Sequence, residues 1–92
     1  MKDLSAIRGE IDLIDDKLAD LLKRRLDIVA DIVAAKREKG VPVNDPKRES
    51  EIIARVSGRM GPGYEDAARL LFTTLFGITK ARQTAMMDGE LK

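Results

Sequence analysis

Apolar residues recur at intervals of three and four along the first third of the chain: Leu4, Ile7, Ile11, Ile14, Leu18 and Leu21, then Ile28, Ile32 and Ala35. This spacing puts them on one face of a helix and comes close to a heptad. No proline interrupts the pattern between Asp3 and Lys39, and Gly40-Val41-Pro42 stops it. A second helix opens at Asp45-Pro46, an N-cap followed by proline at the first helical position, and turns Ile52, Ile53 and Val56 inward before ending near Gly58. Gly61-Pro62-Gly63 is a turn. A third helix runs from about Tyr64 to Met87, with Ala68, Leu71, Phe72, Leu75, Phe76 and Ile78 as its inner residues. The pattern predicts an all-α fold, three helices per chain with one very long, in a single domain over residues 1–92.

The first helix sets the architecture. About 36 residues at 1.5 Å each span roughly 54 Å. A compact globule of this chain length has a radius of gyration of only about 12–13 Å. The two shorter helices of one chain cannot cover both ends of such a stripe, so a second copy is expected to do so. Two-fold dimers are the commonest arrangement, and the expected assembly is an intertwined homodimeric helical bundle.

Composition narrows the chemistry. Of the 92 residues 43% are hydrophobic but only 3% aromatic, so the core must be built from Leu, Ile, Val and Ala. Charged residues make up 36% and nearly cancel, leaving +1. That balance argues against generic adhesion to nucleic acid or membrane, and any anion site must come from local placement of cations. There is no Cys and no His. A disulfide framework and Cys/His zinc sites are thereby excluded. The commonest general base and the strongest nucleophile are also missing. An enzyme of this composition should catalyse a reaction that needs neither, and no cofactor or metal is expected. Met1-Lys2-Asp3-Leu4 lacks the apolar run of a signal peptide, and no stretch approaches the roughly 18 apolar residues of a membrane span, so a cytoplasmic location is expected.

The stripe has one violation. Arg25 stands where the heptad asks for an apolar residue, and a guanidinium aimed at a core is costly unless paired or bound to an anion. It could equally snorkel outward or pair with a carboxylate. Lys36 lies eleven residues on, within about 20° of the same face and some 16 Å along the axis, so both side chains could touch one small anion. By itself Lys36 reads as a solvated lysine near a helix C-terminus. Arg8 also flanks the stripe, but roughly 25 Å of helix separates it from Arg25. The two could share a ligand only if paired antiparallel helices of two chains brought them together. Asp45, Arg48 and Glu49 open the second helix, either as a cap and a charged first turn or with Glu49 accepting from a ligand hydroxyl and Arg48 ordering the carboxylates. Thr79 and Gln83 extend the row of Phe72 and Phe76, as the polar lining of a pocket or as a frayed, half-exposed helix end. Met86 and Met87 read as core filler or tail. Gly9 and Gly77 sit inside helices at a cost of about 1 kcal/mol each relative to Ala, and close helix approach is the reading available for them.

Five segments in this order and spacing carry a resemblance over most of the chain: Ile7-Arg8-Gly9-Glu10-Ile11-Asp12-Leu13-Ile14-Asp15, Leu22-Lys23-Arg24-Arg25, Ala35-Lys36, Val43-Asn44-Asp45-Pro46-Lys47-Arg48-Glu49 and Thr79-Lys80-Ala81-Arg82-Gln83. Together they resemble the all-helical class of chorismate mutases. The resemblance implies a homodimeric enzyme of aromatic amino-acid biosynthesis in the shikimate pathway, rearranging chorismate to prephenate. It implies that Arg8 reaches one substrate carboxylate from the partner chain and Arg25 holds the other. Lys36 and Gln83 would donate to the ether oxygen of the breaking bond. Glu49 would accept from the ring hydroxyl, with Asp45 and Arg48 close by, and Thr79 stands where the class often has a serine. Two other functions share some of these features: isochorismate pyruvate lyase, whose members tend to lose the glutamate at the position of Glu49, and a non-catalytic helical dimer serving as an interaction or regulatory module.

Overall fold

The computed structural model describes residues 3–40 and 43–89, and every regular element among them is an α-helix. In chain order these are α1 (Leu4–Asp27), α2 (Val29–Lys39), α3 (Pro46–Met60) and α4 (Glu65–Met87). The Asp3 carboxylate caps α1 by accepting from the Ala6 N–H at 2.8 Å.

The first helix predicted from Asp3 to Lys39 is interrupted at Ile28. There the Ile28 carbonyl accepts from Asp31 at 2.9 Å and from Ile32 at 3.3 Å, so a three-residue turn tightens the helix for one step. The four-residue ladder still crosses the interruption, since the Ile28 N–H donates to the Arg24 carbonyl at 3.2 Å. Thus α1 and α2 form one long rod. The longest molecular extent is 56 Å and the radius of gyration 16.5 Å, well above the value of about 12–13 Å for a compact globule. Gly40 ends the rod in the left-handed conformation, φ +68°, with its N–H on the Lys36 carbonyl. Val41 and Pro42, the rest of the predicted stop, lie outside the described residues.

Asp45 caps α3 through the Arg48 N–H at 3.2 Å, with Pro46 first in the helix. The helix runs through Gly58, where the sequence pattern put its end, and stops at Gly61. Of these two glycines Gly61 alone takes a positive φ, +93°, and a glycine inside a helix weakens it without terminating it.

Helix α4 packs along both α3 and α2. Val29, Val33 and Met86 are buried together with Met87 against them, which makes both methionines core filler. Ile52, Ala68 and Phe76 are also buried, and Phe72 meets Phe76 edge-on with ring centroids 6.3 Å apart. Four residues expected to point inward beyond α1 are exposed in this chain: Ile28, Ala35, Leu71 and Ile78. Periodicity marks a helix face, and in a single chain nothing covers theirs. The same holds on a larger scale for α1, which contributes no buried residue. Its stripe of Leu4, Ile7, Ile11, Ile14, Leu18 and Leu21 is at least 40% exposed at every position. A Cβ added at Gly9 or Gly77 would meet nothing within 4 Å, so no close helix approach inside this chain accounts for either glycine. Among the described residues no helix is long and apolar enough to cross a membrane.

Candidate active site

Where α2, α3 and α4 converge they leave a groove of about 280 Å³. Its apolar floor comes from Ile32, Ile52 and Phe76, which the helical periodicity turns inward, and from Val43 in the segment before α3. Its polar lining comes from all three helices and from the last turn of α1. Arg25, Lys36, Asp45, Arg48, Glu49, Thr79 and Gln83 all border it. Every candidate of the sequence pattern is therefore brought to one cavity except Arg8, which lies on the exposed face of α1 and does not line it.

Arg25 neither snorkels nor pairs with a carboxylate. Its Nη1 donates to Thr79 Oγ1, which in turn donates to the Leu75 carbonyl at 2.8 Å. Lys36 crosses from α2 to α4 and donates to Gln83 Oε1 at 3.0 Å and to the Val43 carbonyl at 3.2 Å. Both cations are half-buried, and among the described residues both have only neutral partners. Burying a charge against neutral acceptors leaves part of its desolvation cost uncompensated, and an anion entering the groove would offset it. Gln83 is not a frayed end: it is 4% exposed and is the one buried polar residue among those described. Its carbonyl is held by Lys36, which leaves the amide NH₂ as the group available to a ligand.

On the α3 side, Asp45 performs its capping role at the rim of the groove. The Arg48 guanidinium is exposed and has no partner among the described residues. It does not order the carboxylates. Glu49 is held instead by Lys80, whose Nζ lies 2.6 Å from Oε2 and also donates to Asn44 Oδ1 at 2.9 Å. Lys80 lines the groove and was not among the predicted site residues. Its signal was present: it stands four residues after Phe76 and three before Gln83, on the face those two define. With it, the groove carries four cations (Arg25, Lys36, Arg48, Lys80) against two carboxylates (Asp45, Glu49), a net of +2.

The fold and the groove define an all-helical protein with a preformed cationic pocket suited to a small, multiply charged anion. Residues 7–84 match the family described as chorismate mutase type II, and the chain belongs to that family. Three curated relatives are similar to part of it. A chorismate mutase of Methanocaldococcus jannaschii is 40% identical over 53 residues, 58% of this chain and 54% of that protein. The T-protein of Enterobacter agglomerans is 40% identical over 52 residues, 56% of this chain and 14% of its own length. A 3-dehydroquinate dehydratase of Pyrobaculum aerophilum is 36% identical over 52 residues, 56% of this chain and 17% of that protein. The matched region thus spans about half of the first relative and under a fifth of the other two. No solved structure gives a match.

Proposed function

We propose that the chain is a chorismate mutase, an isomerase that rearranges chorismate to prephenate for aromatic amino-acid biosynthesis in the cytoplasm. The observation that carries this reading is the pair of half-buried cations, Arg25 and Lys36, holding only neutral partners in one groove. The reaction is a single pericyclic step with no nucleophile and no net proton transfer, which suits a chain without Cys or His. Two tasks remain for the protein. It holds the flexible dianion in its reactive fold, and it places donors where negative charge builds on the departing ether oxygen. Arg25, steadied by Thr79, takes one substrate carboxylate. Lys36 and the Gln83 NH₂ serve the ether oxygen. Glu49 accepts from the ring hydroxyl, with Asp45 and Arg48 at the rim.

The second carboxylate falls to Arg8 of a second copy in an intertwined homodimer. Support comes from the bare apolar stripe of α1 and from the roughly 25 Å of helix between Arg8 and Arg25. Isochorismate pyruvate lyase is disfavoured by Glu49, which lines the groove and is held in place there. A non-catalytic interaction module is disfavoured by cations kept half-buried without counter-charge. The test is loss of chorismate absorbance on adding pure protein, with prephenate and salicylate distinguished among the products. Prephenate formation supports the mutase, salicylate the lyase, and no turnover the module.

A further inference from the structure

We propose that Lys80 is a charge-compensating residue of the groove, which neutralises Glu49 so that a dianion can bind beside that carboxylate. This rests on the mutase reading for the identity of the dianion. Glu49 serves a ligand hydroxyl, yet it is an anion in a site that must accept two more negative charges. Of the four groove cations, Lys80 alone has a carboxylate partner, at 2.6 Å, while Arg25 and Lys36 contact only neutral groups. Lys80 and Glu49 therefore form an internally neutral pair. The charge left for the ligand comes from Arg25, Lys36 and Arg48 against Asp45. Removing Lys80 lowers the groove from +2 to +1 and leaves Glu49 facing the ligand uncompensated.

The pair is about two-thirds buried, with side-chain exposures of 34% for Lys80 and 26% for Glu49, so solvent screens it only in part. The geometry also divides the labour on Glu49. Lys80 occupies Oε2, and the other carboxylate oxygen is left to accept from a hydroxyl. A second contact of Lys80, to Asn44 Oδ1 at 2.9 Å, ties α4 to the segment before α3 and supplies the competing explanation, a purely structural tether.

The experiment is a double-mutant cycle with a control for the tether. Lys80→Met, Glu49→Gln, their combination, Asn44→Ala and Lys80→Arg are compared with the parent. Two readouts are taken: KM and kcat for chorismate, and the calorimetric Kd of an oxabicyclic dicarboxylate shaped like the bridged transition state. Lys80→Met is expected to raise KM and Kd about tenfold in the parent background and less than about twofold when Glu49 is already neutral. Lys80→Arg should restore most of the affinity, and Asn44→Ala should leave it within about twofold. Equal losses for Lys80→Met in both backgrounds, no loss in either, or a loss from Asn44→Ala as large as that from Lys80→Met would each overturn the inference. If the parent binds the dicarboxylate but does not turn chorismate over, the catalytic reading fails while the Kd cycle still decides the role of Lys80.

Discussion

Arg25 and Thr79, 54 residues apart in sequence, are joined by a hydrogen bond from the guanidinium to the hydroxyl. The bond ties the end of α1 to the middle of α4 and aims a cation into the groove from a position the heptad reserves for an apolar side chain. Arg25→Leu completes the apolar stripe and deletes a half-buried charge that has no counter-charge. Replacing such a charge by a packed hydrophobe is often neutral or stabilising. The variant is expected to be inactive and to melt at or above the parent temperature. A large fall in Tm would show that the tie to Thr79, rather than ligand binding, is the reason for the arginine.

Lys36→Ala and Gln83→Ala should each lower kcat by roughly 10²–10³, the usual effect of removing one donor to a developing oxyanion. The stability cost should be smaller, about 1–3 kcal/mol, because Gln83→Ala loses one hydrogen bond and Lys36→Ala two. Single-turnover rates set beside thermal melts separate the two effects. Near-normal kcat in either variant would remove that residue from the ether oxygen.

Sharing of the site between chains can be read by complementation. Arg8→Ala and Arg25→Ala are each expected to be inactive alone. Unfolded together and refolded, they should form mixed dimers in which one site is doubly damaged and the other intact. Random pairing at equal amounts restores about a quarter of all sites. Full chain exchange, verified by mass, without any recovery of activity would place both arginines in the service of a single chain.

Gly77 is an exposed mid-helix glycine with open space where a Cβ would go. Gly77→Ala should stabilise the protein by up to about 1 kcal/mol, the difference in helix propensity. A destabilised Gly77→Ala variant would instead reveal a surface of another chain pressing close to that residue. Gly9→Ala, beside Arg8 in exposed α1, provides the same test for that helix.

Much of this is legible in the amino-acid sequence. Heptad spacing gave α1 and α2, Asp45-Pro46 gave the start of α3, and the break in the stripe at Arg25 led to the groove. What escaped was tertiary. The tightened turn at Ile28 has no proline or glycine to announce it; it arises from one carbonyl accepting two N–H groups. Gly58 and Gly61 look alike as letters, and only the backbone angle tells which one ends α3. Sequence offers Glu49 its neighbour Arg48 as one possible ordering cation, whereas the ion pair is made by Lys80 from across the groove. Leu71 and Ile78 have the spacing of core residues, but spacing reports a face and not what covers it.

The uncovered stripe of α1 also bears on how the protein comes into being. A helix of 24 residues that buries none of them gains little from the rest of its own chain: continuity with α2 and, at its last turn, the Arg25–Thr79 bond and the Arg82 N–H on the Leu26 carbonyl. Left alone, such a segment sits near the margin of helix–coil stability. In the dimer proposed above, its permanence depends on encounter with a second copy, and encounter is a matter of concentration. Refolding should therefore show a bimolecular phase that quickens as protein is added, with activity appearing in that phase and not before.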